Sequence, residues 1–322
     1  MKDSFGREIS YLRISLTDRC NLSCGYCMPS CGIKHISESD ILTIEETARI
    51  ISVMASLGVC KIRFTGGEPL LRKELMDFVH IARDTDGINE VCLTTNGVLL
   101  PQYAEELRNA GLDKINISLD TLNSETFYRI TGKNSLDNVL KGIGFAIDTG
   151  FQVKLNCIPM REINNTELDR IASISKELPV DVRFIELMPI GCGKKYTGIT
   201  SDEVLSILEK RLGKAELLKK TENTSAALYY QFSGFSGKTG FISPLSHKFC
   251  KDCNRARLTA NGFLKLCLQY PVGTDLRTPL RKGCTDDDLA YILTEAIKNK
   301  PAEHSFSEIE ITDMRKMVQI GG

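Results

Sequence analysis

The sequence has no excess of either charge, because 41 lysines and arginines are balanced by 41 aspartates and glutamates. A neutral chain argues against broad electrostatic binding to nucleic acid or to an anionic membrane, whereas a small anionic ligand needs only a few converging arginines. The sequence also lacks any apolar run near the ~20 residues of a membrane-spanning helix. Residues 1–8 contain no apolar signal segment. We therefore expect a cytoplasmic protein with no nucleic-acid or membrane partner.

A dense disulfide framework is missing as well. Twelve cysteines in 322 residues are too few per residue for a small disulfide scaffold, and six of them fall into two tight groups, which favours metal binding. Free thiols are sensitive to oxidation, which fits a reducing compartment. The chain is long for one domain and short for three, and its apolar and charged fractions, 42% and 25%, are ordinary globular values.

The first cysteine group follows a strand-like run at residues 12–16 and has the spacing C-x3-C-x2-C, formed by Cys20, Cys24 and Cys27. Thiolates bind iron–sulfur clusters, and a four-iron cluster takes four ligands. Three local cysteines would therefore leave one iron without a protein ligand, open to a small molecule, as an open zinc position holds water. A structural zinc site with Cys31 as the fourth ligand is the alternative.

Short β-rich runs alternate with helical patterns over the first two-thirds of the chain, which predicts an α/β protein with a parallel sheet, either open and doubly wound or a partial barrel. The predicted strands are residues 12–16, 61–64, 91–94, 114–119, 152–158 and 181–187. The predicted helices between them are residues 43–57, 71–82, 102–110, 136–148 and 166–178. After residue 187 the pattern changes to a helix at about 201–211, strand-like runs at 228–232 and 239–242, and a helix at 285–300. We place a domain boundary near residue 220.

Polar residues follow several of the predicted strands, where ligands bind in parallel α/β folds. Gly66 and Gly67 let the backbone approach a ligand closely, and the carboxylate of Glu68 with nearby carbonyls could take an ammonium group. A simple Gly-Pro turn is the alternative. Lys154 and Asn156 share one face of a strand, which indicates either a polar barrel interior or a wet edge strand.

The second cysteine group has the spacing C-x2-C-x13-C and consists of Cys250, Cys253 and Cys267. Three thiols again suit a cluster with an open iron, and a zinc site completed by His247 or Cys284 is equally compatible with the spacing. Two nearby arginines, at positions 255 and 257, would point to the same side of an extended segment, where their guanidinium groups could bind phosphate, unless they are solvated surface arginines.

The first group, with a tyrosine before its last cysteine, resembles the cluster motif of radical S-adenosylmethionine enzymes. The resemblance to the family of GTP 3′,8-cyclases, the molybdenum cofactor biosynthesis A proteins, is closer still and covers essentially the whole chain. It is carried by residues 5–7, 11–21, 63–72 and 183–189, by the C-x2-C-x-R-x-R unit at 250–257, and by the terminal glycine pair.

The resemblance implies a partial (βα)6 barrel of the TIM type over residues 1–220, with its mouth closed by a small C-terminal iron–sulfur domain over residues 221–322. It implies a lyase with two [4Fe–4S] clusters that uses S-adenosylmethionine and an electron donor. In that family a 5′-deoxyadenosyl radical takes the C3′ hydrogen of GTP, the carbon radical attacks C8 of guanine, and the product is (8S)-3′,8-cyclo-7,8-dihydroguanosine 5′-triphosphate. The second cluster's open iron holds the guanine base.

The resemblance also assigns residues, and no side chain receives a catalytic role, since the radical chemistry belongs to the cluster and S-adenosylmethionine. The expected cluster ligands are Cys20, Cys24, Cys27, Cys250, Cys253 and Cys267. The residues expected at S-adenosylmethionine are Tyr26, Gly67, Ser118 and Met188. The residues expected at GTP are Arg13, Arg63, Thr94, Lys154, Arg255, Ala256 and Arg257. The tail, Gly321 and Gly322, is expected to extend toward the active site.

Two other functions compete with this one. A radical enzyme that modifies peptides could also carry an auxiliary cluster, but such enzymes usually have more C-terminal cysteines. An iron–sulfur electron carrier would need complete four-cysteine sets, and both groups here are triads. A zinc-binding interaction module is distinguished by its metal content, since two four-iron clusters would give about eight irons per chain and the module would contain zinc. The sequence leaves open the oligomeric state, including a homodimer, and the roles of Cys31, Cys192 and Cys284.

Overall fold

The computed structural model describes residues 1–219, 226–306, 313 and 315–321. Within these ranges the chain forms one twelve-stranded sheet flanked by helices. The strands are β1 (Tyr11–Ser15), β2 (Lys61–Thr65), β3 (Glu90–Thr95), β4 (Lys114–Ser118), β5 (Gln152–Cys157), β6 (Asp181–Ile185), β7 (Ala215–Leu217), β8 (Ala227–Phe232), β9 (Thr239–Ile242), β10 (Arg255–Leu258), β11 (Phe263–Lys265) and β12 (Gly273–Asp275). The α-helices are α1 (Ile44–Ser56), α2 (Leu75–Asp84), α3 (Leu100–Asn109), α4 (Ser124–Thr131), α5 (Leu136–Asp148), α6 (Leu168–Glu177), α7 (Ser201–Leu212), α8 (Arg277–Arg281), α9 (Asp286–Lys298) and α10 (Met317–Ile320).

The sheet has the strand order β12-β11-β10-β1-β2-β3-β4-β5-β6-β9-β8-β7. Strands β1 to β6 are neighbours in chain order and run parallel, with helices in the connections, as βα units require. Strands β10 and β9 extend the parallel part at its two edges, and the remaining four strands pair antiparallel beyond them. The predicted α/β architecture with a parallel six-strand core is confirmed.

The sheet curves without closing. Its outermost strands, β12 and β7, are not paired with each other in the part of the chain that the structure describes. Side chains from strands as far apart as β10 and β8 nevertheless line the same cavity, so the sheet wraps around that cavity. This is the open form of a barrel that the sequence predicted.

The predicted domain boundary at residue 220 lies outside the described residues. On either side of it, β7 and β8 pair antiparallel, and the later strands join both edges of the same sheet. The strands that follow the parallel core in the chain therefore widen it on both sides.

Local sequence signals explain where several helices begin. The N-terminus of α1 is a capping box in which the Glu46 amide donates to the hydroxyl of Thr43, 3.2 Å away, and the Thr43 amide donates to the Glu46 carboxylate, 2.9 Å away. Thr200 with Glu203 and Thr285 with Asp288 cap α7 and α9 in the same way.

Among the described residues, no helix combines the length and the apolar character that crossing a membrane requires.

The hydrophobic core lies between the sheet and its helices. Phe64 of β2 and Phe184 of β6 are almost fully buried, and the ring of Phe64 lies 6.2 Å from that of Phe78 on α2. Burying such a side chain stabilises the fold by roughly 1.5–3 kcal/mol. With one sheet face occupied by this packing, the strands point their polar residues into the cavity on the other face.

Candidate functional site

A cavity of about 560 Å³ lies against the concave face of the sheet and the carboxyl ends of its parallel strands, and its size is typical of small-molecule sites. Every predicted site residue except Ala256 lines it. These residues are Arg13, Cys20, Cys24, Tyr26, Cys27, Arg63, Gly67, Thr94, Ser118, Lys154, Met188, Cys250, Cys253, Arg255, Arg257 and Cys267. The side chain of Ala256 points the other way from β10 and is buried in the core.

The first cysteine triad lies on the loop that leaves β1. Amides of Cys27 and Met28 donate to the carbonyl of Cys24, each over 2.9 Å, which turns the loop back on itself. The same loop is anchored to the end of α4, where the amides of Ser23 and Gly25 donate to main-chain carbonyls over 2.9 and 3.0 Å. Two separate anchors therefore fix the positions of the thiols.

The three thiols influence one another electrostatically. Burial raises the pKa of Cys27 to about 12, and the charge of Cys20 adds to the shift. Burial likewise raises the pKa of Cys24, with further contributions from the other two thiols. Without a metal these half-buried groups would stay protonated, so the cationic core of an iron–sulfur cluster is the kind of ligand that would make them thiolates.

The glycine pair lies directly against this loop. The Gly67 amide donates to the carbonyl of Thr17 over 2.6 Å, and the next amide in the chain donates to the carbonyl of Arg19 over 2.8 Å. A Cβ on Gly67 would lie 2.2 Å from the Arg19 carbonyl oxygen, and one on Gly66 would lie 2.8 Å from that of Thr17. The glycines are thus needed for close packing between the two loops, a constraint additional to the ligand approach that the sequence suggested.

Glu68 holds the end of β3 to this pair of loops. Its carboxylate accepts from the hydroxyl of Thr95 over 2.6 Å, from the amide of Asn96 over 2.8 Å and from the amide of Leu70 over 3.2 Å. Burial raises its pKa to about 7 despite these hydrogen bonds. The side chain of Asn96 then reaches the thiol of Cys20, 3.8 Å away, so β3 supports the first triad.

Tyr26 is oriented by a carboxylate that the sequence did not single out. Its hydroxyl donates to Asp120 over 2.7 Å, and the other carboxylate oxygen accepts from the amide of Ile158 over 2.8 Å. Burial raises the pKa of Asp120 to about 6. Asp120 follows Ser118 at the end of β4 and lines the cavity. Its position after a strand, two residues from a predicted ligand, is the signal that could have found it.

Three arginines form a row across neighbouring strands. In the parallel pairing, Arg13 of β1 lies between Arg257 of β10 and Arg63 of β2. Burial lowers the pKa of Arg257 to about 10, and it lowers that of Arg13 well below its usual value, with the charge of Arg257 as the next contribution. Arg63 is buried and the other two are partly buried, and such a row of like charges is a strong site for an anion.

The opposite wall of the cavity carries further cations. Lys154 of β5 forms an ion pair with Asp181, 3.2 Å away, and donates to the hydroxyl of Tyr229, 3.1 Å away. Arg183 of β6 is half-buried, and among the described residues its buried Nε has no hydrogen-bond partner. Room for these side chains comes from Gly240, where a Cβ would lie 2.8 Å from Tyr229 and 2.9 Å from Arg183.

Sequence reasoning missed several cavity residues. Arg183 lay inside a recognised motif but was given no role, and period-2 counting along β6 could have found it. Lys61 lines the cavity and pairs with Glu90 over 2.6 Å. His304, which carried no pattern in the sequence, also lines it.

The second triad lies across the cavity from the first. Cys250 and Cys253 precede β10, and Cys267 follows β11, which pairs antiparallel with β10. Neither of the two candidate fourth zinc ligands lines the cavity with them. His247 is exposed and lies 2.9 Å from Asp202. Cys284 lies just before the N-terminus of α9.

The chain's relatives are consistent with this geometry. The Radical SAM superfamily model matches residues 14–173, and the Molybdenum Cofactor Synthesis C model matches residues 180–306. The chain is 43% identical to GTP 3′,8-cyclase of Clostridium perfringens over 323 residues, covering 100% of both chains. It is 45% identical to GTP 3′,8-cyclase of Peptoclostridium acidaminophilum, covering 99% of this chain and 98% of that one. The chain belongs to the GTP 3′,8-cyclase family.

Solved structures agree on the fold. The Streptococcus suis protein SuiB bound to S-adenosylmethionine superposes with a TM-score of 0.62 at 14% identity, covering 88% of this chain and 68% of that one. Native anSMEcpe with bound AdoMet superposes with a TM-score of 0.51 at 17% identity, covering 63% and 60%. Radical SAM membership implies a [4Fe–4S] cluster and S-adenosylmethionine for this GTP 3′,8-cyclase family member.

The donor sets suit iron–sulfur clusters. All twelve cysteines are free, and each triad presents three sulfurs to one cavity. Among the described residues, no three His, Cys, Asp or Glu side chains converge on the position of a single metal ion. Each iron of a four-iron cluster takes its own cysteine, so the three thiols of a triad would bind separate irons and need not converge on one point.

The extra thiols and the tail have distinct positions. Cys31 is exposed, whereas Cys192 is buried, and its charge contributes to the raised pKa of Cys27, after burial and Cys20. Gly321 is buried, and its carbonyl accepts from Arg257 over 2.9 Å. A Cβ on Gly321 would lie 3.0 Å from Ser15 and from Thr65, at the ends of β1 and β2. Gly322 lies outside the described residues.

Proposed function

We propose that this protein converts GTP to (8S)-3′,8-cyclo-7,8-dihydroguanosine 5′-triphosphate, the first step of molybdenum cofactor biosynthesis. The observation that carries the proposal is the arginine row of Arg257, Arg13 and Arg63, in the same cavity as both cysteine triads. A triphosphate is the part of GTP that needs several cations. The radical chemistry needs a cysteine triad close to the bound GTP.

The first triad holds one [4Fe–4S] cluster, which with bound S-adenosylmethionine supplies the 5′-deoxyadenosyl radical that takes the C3′ hydrogen of GTP. The chain's own part is to hold the cofactor still. Gly67, Tyr26, Ser118 and Met188 line the cavity on this side, and the bond from Tyr26 to Asp120 fixes the tyrosine ring. Positioning of this kind is what makes a reaction between two bound molecules effectively unimolecular.

The triphosphate binds the arginine row and the cations opposite it. Guanidinium groups bind phosphate oxygens through paired, charge-assisted hydrogen bonds. Arg255, Lys154 and Thr94 complete the predicted set, and we add Lys61 and Arg183, which line the same cavity. The backbone of Ala256 lies between two of the arginines, so its main chain, rather than its side chain, is the part that would face GTP.

Cys250, Cys253 and Cys267 would hold a second [4Fe–4S] cluster, which with only three cysteine ligands would have an iron available to the guanine base. The chain is then divided into a barrel domain, residues 1–220, and a cluster domain, residues 221–322, with Gly321 of the tail beside Arg257. Both clusters require a reducing, cytoplasmic setting and an electron donor. Excluding water from a closed cavity would protect a carbon radical from side reactions.

The deciding experiment is an anaerobic assay of reconstituted protein with dithionite and S-adenosylmethionine, with and without GTP, followed by mass spectrometry of nucleosides and nucleotides. Formation of 5′-deoxyadenosine together with cyclised GTP is expected. Cleavage of S-adenosylmethionine with GTP untouched would reject the substrate and point to peptide modification.

Variants of the two triads separate their roles. Cys24→Ala should abolish cleavage of S-adenosylmethionine. Cys253→Ala should retain some cleavage but lose cyclisation. Normal cyclisation by the Cys253 variant would remove the second cluster from the mechanism.

A further inference from the structure

Lys300 is a buried lysine between the two chain segments that carry cluster ligands. It follows α9, and only 4% of its surface is exposed. Its ammonium group donates to the carbonyl of Arg255 over 2.9 Å and to the carbonyl of Leu266 over 2.5 Å. These carbonyls lie two residues after Cys253 and one residue before Cys267. One cation therefore joins the segments of the second and third ligands.

Arg7 fixes the remaining ligand to the same place. Its guanidinium group donates to the carbonyl of Cys250 over 2.9 Å and to those of Pro301 and Ala302, each over 2.6 Å. Its Nε is held by the buried carboxylate of Asp3, 2.5 Å away. The N-terminal segment thus clamps the first ligand onto the residues that follow Lys300. All three ligand segments are attached to this pair of cations.

The charged groups that support the two triads differ in sign. The thiol of Cys20 is 3.8 Å from the side chain of Asn96, whose main-chain amide is held by the buried carboxylate of Glu68. Tyr26, in the same loop, donates to the carboxylate of Asp120. Around the second triad the corresponding groups are the ammonium of Lys300 and the guanidinium of Arg7, which bind the main chain of the ligand segments. Carboxylates therefore support the first site, and cations support the second.

We propose that Lys300, held in place by Arg7, is a positioning residue whose charge raises the reduction potential of the second cluster above that of the first. The inference rests on the second cluster proposed above. Reduction adds negative charge to a cluster, and cluster potentials follow the local charge and the hydrogen bonds around the sulfurs. A cation screened from water acts on that charge more strongly than one in solvent.

The first test needs no change at Lys300. Dithionite titrations followed by electron paramagnetic resonance are made on the wild-type protein without S-adenosylmethionine or GTP. They are repeated on Cys24→Ala, which keeps only the second cluster, and on Cys253→Ala, which keeps only the first. The second cluster should be reduced at a higher potential than the first, both within the wild-type protein and between the two variants. The reverse order, or equal potentials, would overturn the proposal.

The second test separates charge from hydrogen bonding. Lys300→Gln keeps donors for the two carbonyls but loses the charge, whereas Lys300→Arg keeps the charge. We expect Lys300→Gln to shift the reduction equilibrium of the second cluster at least about tenfold toward the oxidised form, which is 59 mV for one electron. The first cluster should be unaffected. Lys300→Arg should stay near wild type, and so should the control Lys298→Gln, since Lys298 is paired with Glu295 on the surface.

Iron analysis distinguishes failure of the proposed second cluster from failure of the proposed role of Lys300. About four irons per chain in the wild type, instead of about eight, would reject the second cluster and this inference with it. About eight irons with an unchanged potential in Lys300→Gln would reject only the role of Lys300. If Lys300→Gln fails to hold the second cluster, the order of the two cluster potentials in Cys24→Ala and Cys253→Ala decides whether the proposal stands.

Discussion

Arg13 and Arg257 are direct partners in the parallel pairing of β1 and β10, so two guanidinium groups project from adjacent strands into one cavity. Neighbouring strands are about 4.8 Å apart, which places the two charges close together. Each is partly buried, and the charge of Arg257 lowers the pKa of Arg13, after burial itself. The pair is unfavourable in the ligand-free protein and becomes favourable when an anion lies between the two groups.

Replacing Arg257 with alanine should weaken GTP binding without loss of iron. A hydrogen bond to a charged group contributes about 1.5–3 kcal/mol, which corresponds to roughly 10- to 150-fold in Kd. Equilibrium dialysis with labelled GTP and iron analysis measure the two quantities. Arg108→Ala is a matched control, because Arg108 lies on α3 outside the cavity and its guanidinium group stacks on the ring of Phe151. Loss of iron in Arg257→Ala would make the residue structural, and unchanged affinity would place the phosphates elsewhere.

Gly67→Ala should disrupt the first triad. The new Cβ would lie 2.2 Å from the carbonyl oxygen of Arg19, so the loop carrying Cys20 must move. Overpacking of this kind costs about 1–3 kcal/mol or more. We expect the iron content to fall toward about four per chain and cleavage of S-adenosylmethionine to be lost.

Gly144→Ala is the control for that change. Gly144 lies within α5, and a Cβ there meets nothing within 4 Å. The substitution should be neutral or stabilise by about 0.5–1 kcal/mol, since alanine suits a helix better than glycine. Full iron content in Gly67→Ala would show that the two loops can separate without harm to the cluster.

Glu68 should make the stability of the cluster-free protein fall as the pH rises. Its pKa in the folded protein is about 7, above its ordinary value of 4.5. Between these values the folded state holds a proton that the unfolded chain has released, so the free energy of unfolding decreases by about 1.4 kcal/mol per pH unit and then levels off above pH 7.

Thermal unfolding of wild type and Glu68→Gln from pH 5 to 8 isolates this contribution. The difference between the two proteins should change over the lower part of the range and be constant above about pH 7. Glu105→Gln, on the exposed side of α3, should track the wild type. A pH-independent difference between wild type and Glu68→Gln would show that Glu68 stays ionised when buried.

Gly321→Ala should reduce cyclisation while leaving both clusters in place. Gly321 has a φ of +83°, which disfavours any side chain, and a Cβ would lie 3.0 Å from Ser15 and Thr65. The strain would move the carbonyl that accepts from Arg257. Cyclisation rate and iron content are the two readouts, and a normal rate would mean that the tail has no part in the site.

The sequence predicted the parallel core well because each element there carries its own signal. The six predicted strands coincide with β1 to β6 to within about two residues, since each is a short β-rich run between a glycine or polar turn and a helix. The helix predicted over residues 43–57 likewise begins where α1 does, at the capping box of Thr43 and Glu46. The cysteine spacings then indicated which strand ends lie at the candidate site.

The missed elements depend on distant partners. Helix α4 and strands β7, β10, β11 and β12 have three to eight residues each, and their pairing is decided by what lies beside them. The sequence indicated that Arg255 and Arg257 share a side, but not that β1 would be their neighbour. Lys300 belongs to no recognised motif, and Arg7 lies within residues 5–7, which carry the family resemblance, but received no role from it. Their roles follow only from the carbonyls that surround them.

The pairing of β1 with β10 also determines when the anion site forms. The hydrogen-bonded residues Ser10 and Asn254 are 244 positions apart, so this edge of the sheet closes only after most of the chain has been synthesised. A nascent chain ending before β10 already contains the first triad, Arg13 and Arg63, but its β1 is an unprotected edge strand. Tight nucleotide binding is therefore a property of the completed protein, and a truncated chain has neither the full row of arginines nor the second triad with which to compete for GTP.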